Sequence, residues 1–483
     1  MSEEWTNKLF FGDNLPILRE HIADESMDLI YLDPPFNSQA TYNVLFREQS
    51  GEQSTAQITA FEDTWHWGIE SERTYHEIVT QGPGKLADLI QALRSFLGQN
   101  DMMAYLTMMA IRLVELYRVL KRTGSIYLHC DPTASHYLKL LMDTVFNVKN
   151  FQNEIVWGYK TQGASKKRFA RKHDTILFYS KSQEWKFNTQ YEKSFMMHKY
   201  GFKGSDFKID PETGQQYNIV IAKDIWNIPA LQSATSEKLG YPTQKPEELL
   251  DRIIKASSDE EDTVLDPFCG CGTTISVAER LNRRWIGIDI THLAIALMNH
   301  RLNDTFGSEL SPYKIIGEPK DLKGAEALAE ENRYQFEWWA LRLVDAFPAQ
   351  DKKKGPDTGI DGYKNFFDDK SGKAKKIIVQ VKSGKVNRSQ IGDLKGIMER
   401  EKAVIGAFIT LKEPTKPMIG EAASAGFYEP EYFPGQRYPR IQILTIKELL
   451  EGKKLEYQQM AESTFRKAER KSKKGIKDQI ILF

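Results

Sequence analysis

Two short motifs limit what this chain can fold into. Asp33-Pro34-Pro35-Phe36 follows the apolar run Met27-Asp28-Leu29-Ile30-Tyr31-Leu32, and Asp266-Pro267-Phe268-Cys269-Gly270-Cys271-Gly272 follows Thr263-Val264-Leu265. Each run has strand character, and each is stopped abruptly. Consecutive prolines cannot continue a ladder, and a glycine-rich turn that opens a helix places a binding edge at the carboxyl end of a strand. Around the motifs, strand patterns alternate with helical ones: Lys8 to Phe11, a short helix to about Ile22, a helix from Asp101 to Leu120, the strand Ser125 to His129, and a helix from Thr133 to Phe146. After the second motif come a helix from Thr273 to Leu281, the strand Trp285 to Ile288 and a helix from Thr291 to about Arg301. This alternation predicts a doubly wound α/β fold, with a mostly parallel sheet covered by helices on both faces.

The pattern lapses in places. Residues 37–100 keep no steady period and read as a long loop or lid with some helix, punctuated by Gly82-Pro83-Gly84. Two strand-like runs, 153–157 and 175–179, flank a basic stretch, and residues 182–240 are polar, aromatic and irregular, as an inserted recognition region would be. At 483 residues the chain exceeds what one core usually serves. The expected division is a first domain over 1–305, a linker over 306–330, a smaller α/β domain over 331–450 and a basic tail over 451–483.

Composition adds mainly exclusions. Lys+Arg and Asp+Glu balance at 66 each, so no uniformly basic coat is present, although local basic grooves remain open. Three cysteines are too few for a disulfide framework, and no apolar run approaches the ~18 residues of a membrane span. The start MSEEWTNKLF has no signal-peptide character. A cytoplasmic protein without membrane contact is expected.

In the second motif Gly270 and Gly272 would let backbone approach a ligand, Thr273 opens the helix, and Asp289 ends the next strand, where a carboxylate can accept both ribose hydroxyls. The third glycine of a pyrophosphate-binding turn is missing, since Ser276 and Val277 follow. A sulfonium nucleoside carries no phosphate, so S-adenosyl-L-methionine fits the turn better than a dinucleotide, with Asp266 and Phe268 completing the set. Without a ligand, the same glycines would serve only close strand–helix packing. Cys269 and Cys271 alone cannot complete a tetrahedral zinc site and read as small buried turn residues.

The first motif suits an exocyclic amine, a poor nucleophile that must be held and polarised. Asp33 can accept one amino hydrogen and the Pro34 carbonyl the other; Pro35 stiffens the turn, and Phe36 offers a π face to a base swung out of a duplex. Catalysis would come from positioning and electrostatics, without metal. As a bland alternative, the motif is a strand-ending turn.

With both motifs in hand, the chain resembles the β-class DNA amino-methyltransferases, a Rossmann-like S-adenosyl-L-methionine-dependent family in which the catalytic motif precedes the cofactor motif. The likeness covers roughly residues 8–305 and includes Gly12-Asp13-Asn14-Leu15, Gly124 to Asp131, Arg171 to Ser180 and Pro242-Thr243-Gln244-Lys245-Pro246. It implies that Asp13 contacts the cofactor's adenine, and that Thr243 and Lys245 lie against its methionine end. Blandly read, Asp13 caps a helix and Lys245 is a surface lysine. An aspartate-led motif implies N6-adenine in double-stranded DNA; N4-cytosine is the alternative, and a DNA-binding scaffold with a vestigial pocket is the rival of another class. Carbon-5 methylation lacks its Pro-Cys nucleophile. Lys166, Lys167, Arg168, Arg171 and Lys172 are the candidate phosphate contacts, while Tyr42, Trp65 and Trp67 are candidates to fill the gap left by an extruded base. A homodimer is compatible with this class.

The smaller domain carries Gly359-Ile360-Asp361-Gly362 and Ile377-Ile378-Val379-Gln380-Val381-Lys382. This resembles the PD-(D/E)xK nuclease superfamily in its Mrr-like variant, where glutamine replaces the second acid. The resemblance implies a restriction-endonuclease-like fold in which Asp361, Gln380 and the Val381 carbonyl bind Mg²⁺, Lys382 activates water and Glu337 adds an outer carboxylate. The alternatives are a Mg²⁺-dependent nuclease, making a fused restriction–modification protein, and an idle DNA-binding module.

Overall fold

The computed structural model describes residues 5–35, 41–47, 53–62, 66–159, 166–195, 207–211, 213–231, 235, 237–239, 241, 243–349, 359–368, 374–430, 433, 435–458, 461–462 and 468–473. Its larger unit is built on a nine-stranded sheet. The strand order is Ile225–Trp226, Phe151–Gly158, His173–Ser180, Leu120–Cys130, Met27–Leu32, Thr263–Asp266, Arg284–Asp289, Asn7–Phe11 and Tyr313–Ile316. Among these strands only His173–Ser180 runs against the rest.

Met27–Leu32 is buried along its whole length, as a central parallel strand must be. Ile30 and Leu32 join a core with the helices Asn14–His21 and Asp101–Val119, whereas Leu29 and Tyr31 join the opposite core with Glu247–Ser257, Thr273–Arg280 and His292–Phe306. Period-2 alternation thus distributes one strand between two helical layers. Both motif strands point their carboxyl ends to the same sheet edge, since Leu29 and Ile30 pair in parallel with Val264 and Leu265.

The smaller unit has a sheet in the order Phe347–Pro348, Gly362–Phe367, Lys375–Lys382, Ile405–Thr410, Ile441–Thr445, antiparallel at first and parallel from Lys375 onward. Leu322–Glu331 and Arg333–Leu343 cover one face, and Arg388–Arg400 and Lys416–Ser424 the other. No helix among the described residues is long and apolar enough to cross a membrane.

Three sequence expectations change. Within 37–100, the strands Thr41–Arg47 and Gln53–Glu62 pair as a hairpin, followed by the helices Ile69–Gln81 and Gly84–Leu97. Gly82-Pro83-Gly84 is the junction: a Cβ at Gly82 would stand 2.4 Å from the Ile78 carbonyl oxygen, so only glycine closes the first helix this way. Residues 306–330 are not a linker. Tyr313–Ile316 pairs with Asn7–Phe11 at the sheet edge, and Leu322–Glu331 packs into the smaller core; their polar composition reflects one-sided exposure. The basic tail, where described, is also held in place. Ala461–Glu462 pairs with Phe366 and Phe367, and Lys471 and Lys473 reach Glu247 and Glu279 of the larger unit, both at 2.7 Å. Lys471 and Lys473 thus answer acidic side chains of the larger unit, while Lys454 and Arg470 stay exposed. Residues 182–240 hold a three-stranded antiparallel sheet of Tyr191–Ser194, Gln216–Ile221 and Lys208–Ile209 apart from the main one.

Candidate active site

The two motifs line one cavity of about 490 Å³ at the carboxyl edge of the sheet. Asp33, Pro34 and Pro35 form part of its wall, and Phe36 lies outside the described residues. Asp33 ends its strand with its oxygens in different states. Oδ2 pairs with the Lys245 ammonium, while Oδ1 is buried and has no hydrogen-bond partner among the described residues. A buried acceptor left unmatched is costly, so it marks a position made for a donor that arrives from outside.

The glycine turn forms the facing wall. Gly270 and Gly272 adopt φ of +50° and +74°, and Cβ atoms there would stand 3.2 Å from Tyr241 Cε1 and 2.5 Å from Met298 Cγ. Their immediate requirement is therefore left-handed backbone and close packing, and the ligand is a second constraint. Asp289 holds the turn: Oδ2 accepts from Gly270 N–H at 2.9 Å, and Oδ1 from the Thr291 N–H and hydroxyl, each at 2.9 Å. Asp266 Oδ1 accepts from Phe268 N–H at 3.1 Å. Burial pushes the Asp266 carboxyl up to about 7; the charges of Asp33 and Asp289 act in the same direction, against hydrogen bonds from Thr274 and Phe268. Burial also raises Asp289, with the Thr291 and Gly270 hydrogen bonds opposing. Phe268, Thr273 and Thr243 line the cavity, and Thr273 Oγ1 accepts from Arg301 at 3.0 Å. Both turn cysteines are buried, as expected.

Asp13 caps the first helix through Leu15 N–H at 3.0 Å and pairs with Arg112 at 2.6 Å, while Asn14 Nδ2 donates to the Pro267 carbonyl at 2.8 Å. The bland reading of Asp13 as a cap holds, and the residue also faces the cavity. Lys245 is no surface lysine. It stands against the first motif.

Tyr31, Arg112, His129, Tyr159, Asp174 and Tyr241 have no role in the sequence reading, although His129 and Asp174 lie in stretches that carry the resemblance. The Tyr31 hydroxyl lies 2.9 Å from His129 Nδ1, His129 Nε2 is 3.2 Å from Asp174 Oδ2, and the Tyr159 hydroxyl donates to Asp174 Oδ1 at 3.2 Å. The available signal was an arginine, a histidine and an aspartate in otherwise apolar runs.

Lys166, Lys167, Arg168 and Arg171 are exposed between Phe151–Gly158 and His173–Ser180, Lys172 is half-buried, and Arg171 reaches the cavity wall. Trp67 does not face the cavity: its Nε1 donates to Glu72 at 3.1 Å, and its ring packs under Arg94. Trp65 and the Tyr42 side chain lie outside the described residues.

In the smaller unit, Asp361 Oδ2 accepts from Val381 N–H at 2.8 Å and pairs with Lys382 at 3.2 Å. Gln380 Nε2 donates to the Gly359 carbonyl at 2.5 Å, and its buried Oε1 has no hydrogen-bond partner among the described residues. Glu337 is buried on Arg333–Leu343. Among the described residues no group of three or more His, Cys, Asp or Glu could hold a metal ion.

Residues 27–299 match the N6/N4 family of DNA methylases. The chain belongs to this DNA methylase family. Residues 328–450 of this methylase match the Mrr catalytic family of restriction endonucleases, so it carries a C-terminal restriction endonuclease domain. It is 32% identical over 209 residues to the DNA adenine methyltransferase YhdJ of Escherichia coli K12, covering 40% of this chain and 64% of that one. It is 34% identical over 196 residues to the type II methyltransferase M.HpaI of Haemophilus parainfluenzae, covering 40% and 58%. The chain thus spans less than two thirds of the length of these relatives. Among solved structures, the PvuII cytosine-N4-specific DNA methyltransferase aligns with a TM-score of 0.38 at 15% identity, covering 61% of this chain and 86% of that one. A DNA modification methylase of Thermus thermophilus, complexed with S-adenosyl-L-methionine, aligns at 0.35 and 17%, covering 64% and 96%.

Proposed function

We propose that the chain transfers a methyl group from S-adenosyl-L-methionine to the N6 amine of adenine in double-stranded DNA, using residues 1–305. The observation that carries this is Asp33 Oδ1, a buried acceptor without a hydrogen-bond partner among the described residues, on the same cavity as the glycine turn. It would take one amino hydrogen and the Pro34 carbonyl the other, with Pro35 fixing the turn and Phe36 stacking on the base. Asp266, Phe268, Gly270, Gly272, Thr273 and Asp289 would hold the cofactor on one wall, with Asp13 and Thr243 beside them. When bound, it supplies an electrophilic methyl on sulfonium. Lys245 would orient Asp33 as well as meeting the methionine end. Lys166, Lys167, Arg168, Arg171 and Lys172 would contact phosphates, and residues 182–240 would read sequence. Adenine is favoured by the aspartate-led motif, and YhdJ is named for adenine. Tritiated methyl incorporation into plasmid, lost in Asp33→Ala, tests the transfer; sequencing the modified DNA distinguishes adenine from N4-cytosine and reads the site. Cofactor binding without transfer would favour the scaffold.

The second half of the proposal is Mg²⁺-dependent DNA cleavage by residues 331–450, within a fused restriction–modification protein. Gln380 Oε1, which has no hydrogen-bond partner among the described residues and belongs to the same strand as Lys382 of the Asp361–Lys382 pair, fits a hard cation that prefers oxygen donors. Asp361, Gln380 and the Val381 carbonyl would hold it, Lys382 would orient water, and Glu337 would stand behind. Cleavage of unmethylated plasmid, lost in Lys382→Ala, tests this; no cleavage under any cofactor condition favours an idle DNA-binding module.

A further inference from the structure

A row of hydrogen-bonded side chains runs behind the cavity wall, with Tyr31 at one end and Asp174 and Tyr159 at the other all lining the cavity and His129 enclosed between them, and neither motif contains the row. The sheet builds the row. Tyr31 sits beside Tyr127 in the parallel pairing, so His129, two residues further on, projects from the same face. In the next, antiparallel pairing His129 lies opposite Ile176, which leaves Asp174 on that face again. Trp157 lies opposite Asp174 and brings Tyr159 to it. Three contacts of 2.9, 3.2 and 3.2 Å therefore join Tyr31, His129, Asp174 and Tyr159 across the strands. Tyr31 is two residues before Asp33 and lines the cavity.

Burial is graded along the row. Tyr31 is 2% exposed, the His129 side chain is fully enclosed against the Trp157 ring, and the Asp174 side chain is 15% exposed. A carboxylate at His129 Nε2 fixes the proton there and turns the Nδ1 lone pair toward the Tyr31 hydroxyl. Burial, with the charges of Asp33, Asp266 and Asp174, pushes the Tyr31 phenol well up, so it keeps its proton. Burial also acts to raise Asp174, but the His129 bond and charge, the Lys245 charge and the Tyr159 bond outweigh it and hold that carboxyl below its ordinary value.

We infer that Tyr31, His129 and Asp174 form a relay that removes the proton released when the target amine is methylated. This rests on the methylation proposed above, which requires the amine to lose one hydrogen. The nitrogen–carbon bond forms as the carbon–sulfur bond breaks with its electron pair left on sulfur. One N–H bond breaks with its pair left on nitrogen, and the proton passes to Tyr31 Oη. The proton already on Tyr31 moves to His129 Nδ1, and the imidazolium gives its Nε2 proton through Asp174 to water. Asp33 remains the hydrogen-bond acceptor that positions the amine, with Oδ2 held by Lys245. Tyr31 would receive the proton directly, whereas His129 and Asp174 act through Tyr31 and are positioning residues.

The test uses the full chain, S-adenosyl-L-methionine and plasmid DNA, with Tyr31→Phe and Asp174→Asn, both nearly isosteric. Each is expected to slow single-turnover methyl transfer by ~10-fold or more, at the low end of what acid–base groups contribute, and to raise the solvent deuterium isotope effect. Cofactor affinity by equilibrium dialysis should stay within about twofold. In the ligand-free chain, histidine ¹⁵N resonances assigned by their loss in His129→Gln should report an Nε2–H tautomer with an accepting Nδ1. Tyr31→Phe transferring at the wild-type rate, loss of cofactor affinity without loss of rate, or an Nδ1–H tautomer overturns the relay. If one variant no longer binds cofactor, the other variant and the resonance measurement decide. Wild-type chain that transfers no methyl overturns the methylation itself, while wild-type transfer with unaffected variants overturns only the relay.

Discussion

Lys245 and Asp33, 212 positions apart, meet in the cavity wall with the ammonium on Oδ2 and the facing Oδ1 without a hydrogen-bond partner among the described residues. The pair divides one carboxylate into an anchored oxygen and an available one. Lys245→Met leaves Asp33 short of donors on both oxygens and should cost about 1–3 kcal/mol in urea unfolding. Adding Asp33→Asn should recover part of that loss, because the uncompensated charge is gone. Additive effects in this double-mutant cycle would show that the two side chains do not depend on each other.

Asp266 makes stability depend on pH. Its carboxyl is raised from 3.8 to about 7, so the protonated form is the one the fold favours. The sign follows: the contribution is complete below the unfolded value and is lost as pH rises through about 7. At about 1.4 kcal/mol per unit, the shift corresponds to a ceiling of about 4 kcal/mol. Asp266→Asn should flatten the decline of stability between pH 4 and 7, and equal slopes for the two proteins would contradict it.

Phe347 joins the domains at the cofactor turn. It packs with Tyr241, Cys271, Leu293 and Leu297, and the Tyr241 ring covers Gly270. Phe347→Ala should cost about 3–5 kcal/mol by opening a cavity, and should weaken S-adenosyl-L-methionine binding severalfold although the residue lies in the sheet of the smaller unit. Calorimetric titration reads the second effect. Unchanged affinity would mean that Tyr241 keeps its place unaided.

Gly272 is held by two constraints, a φ of +74° and the 2.5 Å approach of Met298 Cγ to any Cβ there. Gly272→Ala should destabilise the chain by about 1–3 kcal/mol. Shortening Met298 to alanine in the same chain should relieve the contact but leave the backbone strain, so thermal unfolding should recover only in part.

The alternation of apolar strand and amphipathic helix determined the doubly wound unit, because period-2 and period-3.6 patterns are local properties of the chain. The same holds for the two turns: Pro34 and Pro35 end one strand, and Gly270 and Gly272 bend after another, for reasons carried by the residues themselves. Composition misjudged 306–330, since a strand at a sheet edge looks polar in sequence, and it could not show that Lys471 and Lys473 of the basic tail pair with distant glutamates. Only the tertiary structure brought Lys245 to Asp33, and His129 and Asp174 into line with Tyr31. The first contact brings together residues 212 positions apart, and the others follow from strand order and register across 98 and 45 positions; no local pattern encodes which segments become neighbours. What the sequence supplied was the chemistry of each turn; the parallel pairing of Met27–Leu32 with Thr263–Asp266 turned two separate motifs into one cavity.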